Sequence, residues 1–199
     1  MGAIFLSASV PISGRPGYDS ASPFLIREAV SALVEVVLGR RLLVWGGHPA
    51  ITPMIWAAAE GLGVDYGKSV RLFQSQFFED QYPEDNKKFK NVTFIQRGRD
   101  LQESLSLMRT SMLTAYSYEA AVFIGGMEGI REEFEIFKRY APRGKLLPVY
   151  TPGGVARELF EQTPNIPHDF KFAIDYSAWF YNLLRIKTID ERTLDASGV

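Results

Sequence analysis

The stretch that decides the fold runs Ala120-Ala121-Val122-Phe123-Ile124-Gly125-Gly126-Met127-Glu128-Gly129 and continues from Ile130 to Tyr140 as IREEFEIFKRY. Its first five residues are an unbroken apolar run, the pattern of a strand buried on both faces. The glycines end it. Beyond them Ile130, Phe134 and Phe137 recur at helical spacing among Arg131, Glu132, Glu133, Glu135 and Lys138, which predicts an amphipathic helix. A strand, a glycine turn and a helix start make a ready anion site. Glycine lets backbone N–H groups approach a ligand, and the first helical turn is electropositive. Taken alone, the motif fits a plain chain reversal equally well.

The same unit recurs outward in both directions. Ala3 to Leu6 reads as a strand with Ser7-Ala8-Ser9 at its end, followed by a Pro- and Gly-containing loop from Val10 to Ala21. Ser22-Pro23 is a cap followed by a first-turn proline. It opens a helix whose stripe is Leu25, Ile26, Ala29, Leu33, Val36 and Val37, with Gly39 placed to end it. Arg41 to Trp45 is a second strand, turned by Gly46-Gly47-His48-Pro49, and Thr52-Pro53 is a second cap-and-proline start. Ser69 to Gln74 is a third strand. It leads into a polar stretch, Ser75 to Lys90, suited to a lid or a partner contact. Val92 to Gln96 is a fourth strand with Arg97-Gly98-Arg99 behind it. Asp100 and Glu103 resemble a capping box for the helix carrying Leu105, Met108, Arg109 and Met112. Leu146 to Tyr150 is the sixth strand, and Thr151-Pro152-Gly153-Gly154 turns it into a helix through Val155 and Leu159. After a linker, Thr163 to Pro167, an aromatic helix spans Phe172 to Leu184, and the polar tail from Thr188 to Val199 is expected to fray.

This alternation implies an α/β fold with a mostly parallel sheet and right-handed crossovers. The 199 residues suit one domain, with a core over 1–160 and a C-terminal aromatic helix over 168–186. A net charge of −1 gives no electrostatic footprint for nucleic acid. With no cysteine and only His48 and His168, no metal site is expected. No apolar run has the length of a membrane span, and the start MGAIFLSASVP lacks a basic n-region. A cytoplasmic domain is the default expectation.

Open α/β sheets bind ligands outside the carboxyl ends of their strands. Those ends carry Ser7 and Ser9, Gly46-Gly47-His48, Gln96-Arg97, Gly125-Gly126 and Thr151 with Gly153-Gly154. Three glycine pairs in equivalent places suit a phosphate-bearing ligand held by backbone N–H groups. Neither G-x-G-x-x-G nor GxxxxGK[ST] is present, so hydride transfer and ATP hydrolysis lack support, and no cofactor is expected.

These features resemble the SLOG superfamily, which unites LONELY GUY phosphoribohydrolases, DprA-like proteins and nucleotide-sensing domains of bacterial conflict systems. The hydrolases carry P-G-G-x-G-T-x-x-E after a strand and an arginine on the preceding helix. This chain offers Gly125-Gly126-Met127-Glu128-Gly129-Ile130-Arg131-Glu132-Glu133, with Arg109 on the preceding helix. One residue is inserted before Gly129, Ile124 replaces the proline and Ile130 the threonine. The resemblance implies a Rossmann-like parallel sheet of about six strands flanked by helices on both faces. It also implies a nucleotide ligand, of the NAD- or ADP-ribose-derived kind in the sensor members. The alternative it implies is an N-glycosidic hydrolase with Glu133 as the catalytic carboxylate and Arg109 on the nucleotide. The superfamily's dimers and higher oligomers make a homo-oligomer through the 172–184 helix the expectation.

Each candidate also has a structural explanation. Glu132 and Glu133 stabilise a first helical turn anyway, by roughly 0.3–1 kcal/mol. Arg109 suits an internal salt bridge, Arg97 a solvated turn, His48 a helix cap, and Ser7 and Ser9 local backbone caps. The aromatic helix suits core packing as well as a subunit interface.

Overall fold

Six parallel strands form one sheet in the order β4-β3-β2-β1-β5-β6: β1 (Ala3–Ser9), β2 (Leu42–Trp45), β3 (Val70–Ser75), β4 (Val92–Ile95), β5 (Tyr118–Gly125) and β6 (Lys145–Pro148). The computed structural model describes residues 2–62 and 66–192. The helices are α1 (Pro23–Val37), α2 (Thr52–Gly61), the short α3 (Tyr66–Ser69), α4 (Leu101–Thr114), α5 (Glu128–Tyr140), α6 (Val155–Gln162) and α7 (Tyr176–Leu183).

Strand alternation divides the core into two layers. Ile4 and Leu6 of β1 point into a layer with α1, α2 and α7, whereas Ala3 and Phe5 point into a layer with α4, α5 and α6. The central strands are apolar on both sides because helices cover both sides. Phe5 stacks on Phe137 of α5 with ring centroids 6.3 Å apart, and Phe123 meets Phe134 edge-on at 5.1 Å. These contacts fix α5 over β1 and β5. Ser7, one step beyond Phe5 on the same face, is thereby brought under α5.

The local signals act largely as the residues dictate. Ser22 caps α1, its Oγ accepting from Leu25 N–H, and Gly39 takes a left-handed φ of 77° just past the helix. Asp100 caps α4 through Glu103 N–H, but the Glu103 carboxylate receives the N–H of Arg99, one residue ahead of the cap. The second start differs from expectation. Ile51, not Thr52, is the N-cap of α2, and Thr52 is fully buried inside the first turn. Its hydroxyl donates to the His48 carbonyl and accepts from Trp45 Nε1, so it ties β2 to the turn.

Two boundaries shift further. β1 and β5 run on through Ser9 and Gly125, so both strand ends reach the cleft as regular strand. The aromatic segment is two pieces: a 3₁₀ turn (His168–Phe172) and α7, separated by Ala173-Ile174-Asp175, with Asp175 capping α7 through Ala178 N–H. Tyr176, Trp179 and Phe180 are buried in the α1 layer, so the aromatic character of α7 is spent inside the chain. Where the tail is described it is bonded to the body of the domain: Arg40 Nε donates to the Asp190 carbonyl at 2.8 Å, and Arg192 donates to the carbonyls of Leu38 and Glu35. Residues 193–199 lie outside the described part.

Candidate functional site

The chain leaves β1 toward β2 on one side, and β5 enters on the other, so the order of strands reverses between β1 and β5. Such a switch point opens a crevice at the carboxyl ends of the strands. Here it holds a cavity of about 920 Å³. Its floor is Ser7 and Ser9 of β1, Gly46, Gly47 and His48 after β2, and Gln74 of β3. Met127, Glu128, Gly129, Glu132 and Glu133 of the β5–α5 junction form one wall with Arg109 of α4. Phe78, Tyr82 and Pro83, from the stretch after β3, and Leu101, Leu105 and Met108 of α4 complete the lining.

The polar centre is a buried cluster. Ser7 Oγ donates to Glu133 at 2.5 Å, Arg109 Nε donates to the other Glu133 oxygen at 3.3 Å, and Arg109 also donates to Glu132. The Arg109 side chain is only 8% exposed and that of Glu133 15%, whereas Glu132 is half open to solvent. Burial pushes the Glu133 carboxyl above its usual range, while the Arg109 charge and the Ser7 hydroxyl pull it back. At the rim Arg15 pairs with Glu128 at 3.0 Å, and that pair is exposed. The Glu128 carboxyl is held below its usual range by its own backbone N–H and by Arg15.

The glycine pairs do not act alike. Gly126 N–H donates to the Ser9 carbonyl, Gly153 N–H to the Tyr150 carbonyl, and Gly154 N–H to Ser20 Oγ. A Cβ on Gly154 would lie 2.4 Å from the carbonyl carbon of Gly125, and one on Gly153 would lie 1.9 Å from the Ser20 carbonyl oxygen. These four glycines let three backbones touch, and none of them lines the cavity. Thr151 is outside it too, its hydroxyl bonded to the Ala173 carbonyl and the Tyr176 hydroxyl.

Free donors lie elsewhere. Among the described residues no hydrogen bond takes up the N–H groups of Gly47, His48, Met127 or Gly129, nor the Ser9 hydroxyl, and all five residues line the cavity. His48 Nδ1 accepts from Ala50 N–H, which leaves the neutral ring its proton on Nε2, and burial lowers its pKa. Arg97 stands apart, beside a shallower depression with Phe77, Arg99, Glu103 and Leu107.

Sequence reasoning thus brought together Ser7, Ser9, Gly46, Gly47, His48, Arg109, Met127, Glu128, Gly129 and Glu133. The structure leaves Arg97, Gly125, Gly126, Thr151, Gly153 and Gly154 outside the cavity. It adds Gln74, whose buried amide donates to the Gly47 carbonyl at 3.2 Å, and Arg15 and Tyr82. The one signal for Gln74 was an amide closing the expected third strand directly after Leu72 and Phe73.

Sheet order, layering and switch-point crevice define a Rossmann-like α/β domain. The chain belongs to the SLOG cluster 3 family, whose model matches residues 18–184. A search among curated proteins finds no match. No helix among the described residues is long and apolar enough to cross a membrane.

Proposed function

We propose that this chain binds a nucleotide of the NAD- or ADP-ribose-derived kind in the switch-point cavity, acting in the cytoplasm as a sensor domain in prokaryotic defence. The observation that carries the reading is the set of unused donors: four backbone N–H groups and the Ser9 hydroxyl around one crevice. Backbone N–H groups left in a concave site suit phosphate or ribose oxygens. The aromatic and apolar wall of Phe78, Tyr82 and Met108 offers a face for a base. The volume suits a ligand of dinucleotide size, within the roughly 300–1,000 Å³ of ligand pockets.

A second reading rests on Ser7–Glu133–Arg109. A carboxylate fixed from two sides beside a nucleotide cavity is what an N-glycosidic hydrolase of the LONELY GUY kind needs to meet an oxocarbenium-like transition state. Titration calorimetry with AMP, ADP-ribose and NAD tests the first reading. One site per chain, weakened tenfold or more by Tyr82→Ala, is expected; no heat from any of them at millimolar concentration overturns it. Release of free base from any of them, abolished in Glu133→Gln, selects the hydrolase.

A further inference from the structure

The two edges of the sheet are built differently. β6 carries Lys145 and Pro148, and Lys145 Nζ reaches across to the Leu183 carbonyl at the end of α7. A lysine and a proline are usual guards of an edge strand. β4, at the other edge, reads Val92-Thr93-Phe94-Ile95 with neither proline nor charge. Thr93 is exposed and Phe94 is 55% exposed. Phe77 and Leu107, two other exposed large apolar side chains, line a depression with Arg97, Gly98 and Arg99 just past its carboxyl end.

The backbone of β4 has a definite unfilled pattern. Leu72 N–H donates to the Asn91 carbonyl, and the parallel register pairs Leu72 with Val92 and Phe73 with Thr93. In a parallel ladder alternate residues face the neighbouring strand. Asn91, Thr93 and Ile95 therefore turn their backbone groups to β3, and Val92 and Phe94 turn theirs out of the sheet. Those two N–H and two C=O groups have no partner among the described residues.

This pattern is complementary to itself. We infer that β4 pairs antiparallel with β4 of a second copy about a two-fold axis through Thr93, joining two sheets into one of twelve strands. In that register Val92 stands opposite Phe94 of the other copy and Phe94 opposite its Val92. All four outward groups of each copy are then bonded, and the aromatic ring lies against a β-branched neighbour. Lys90 stands opposite the uncharged Gln96, so no like charges meet directly. The two Thr93 residues form the non-hydrogen-bonded pair, with Cα atoms about 4.5 Å apart. This surface is separate from the 172–184 segment, where Phe172 and Ile174 are the large apolar side chains left exposed. It also stands without the nucleotide reading.

The chain has no cysteine, so one introduced thiol reports one contact. A pair about 4.5 Å apart lies within the Cα separation that a disulfide spans. Full-length Thr93→Cys, oxidised at micromolar concentration, is expected to run as a disulfide-linked dimer on a non-reducing gel, while Phe172→Cys is expected to stay monomeric. Sedimentation equilibrium is expected to give twice the 22.4 kDa chain mass for the natural sequence. Phe94→Lys and Phe94→Pro are expected to give the single mass with an unchanged circular dichroism spectrum. The proline removes only an outward N–H, so it leaves the β3–β4 ladder intact. A monomeric natural chain at about 100 µM, a dimer that survives both Phe94 variants, or cross-linking at Phe172 but not at Thr93 would overturn the inference.

Discussion

Gly154→Ala separates a packing glycine from a ligand-cradling one. Gly154 sits at φ 68°, ψ −166°, a region that L side chains rarely adopt, and its new Cβ would lie 2.4 Å from backbone of Gly125. Holding alanine there costs about 1–3 kcal/mol in backbone conformation. Forcing Gly125 aside costs about 1–3 kcal/mol more, because backbone does not give way as a side-chain tip does. A total of about 2–6 kcal/mol lowers the melting midpoint of a chain of this size by roughly 4–24 °C. Gly14→Ala is the control. Gly14 also has a positive φ, 79°, but nothing lies within 4 Å of its Cβ position, so only the conformational part is expected, about 1 kcal/mol. Urea unfolding of both variants, at unchanged m-value, measures the difference. A Gly154→Ala loss below about 0.5 kcal/mol, with nucleotide binding abolished instead, would refute the packing assignment.

Three further outcomes follow from the same geometry. Burial raises the native pKa of Glu133 above its ordinary 4.5, so the native chain takes up this proton at higher pH than the unfolded one. The natural chain should therefore lose stability relative to Glu133→Gln as pH climbs through the raised native value. Parallel urea midpoints for the two from pH 4 to 8 would contradict this. The His48 imidazole should titrate below 6.5 by NMR, because burial disfavours its charged form; a midpoint at or above 6.5 would show the ring to be solvated. Trp179→Ala should cost about 3–5 kcal/mol, since Trp179 is 3% exposed and packs edge-on against Phe170 and Phe180 at 5.3 and 5.2 Å. A variant that dissociated without melting earlier would instead place Trp179 at a subunit interface.

Most of the sheet was legible because parallel strands buried on both faces are written as short apolar runs, and β1, β2, β3 and β5 end here at or beside glycine or serine. α1 and α5 were legible from spacing, and Ser22 and Asp100 from cap chemistry. The glycines were legible as turns but not as donors. Whether a glycine N–H is free depends on which loop packs over it, and Ser20 and the Ser9 carbonyl, 134 and 117 residues distant in sequence from the groups they receive, decide that for Gly154 and Gly126. Arg109 and Glu133 were legible as a family-like pair. Their bond to each other, rather than to a waiting ligand, depends on α4 lying beside α5. The break in the aromatic helix follows from Asp175, whose cap on α7 competes with a continuous helix. Thr52 misled because a threonine before proline is a common cap, whereas the His48 carbonyl and Trp45 claim its hydroxyl here.

Nucleotide binding in the switch-point cavity is measurable by thermal unfolding against AMP, ADP-ribose, NAD and cyclic ADP-ribose isomers. A ligand at about 100 times its dissociation constant adds roughly 2.7 kcal/mol. For a chain of this size that is a rise of roughly 5–10 °C. Such a rise is expected with at least one of them, lost in Tyr82→Ala and kept in Gly14→Ala. An unmoved midpoint with every nucleotide at millimolar concentration would contradict it.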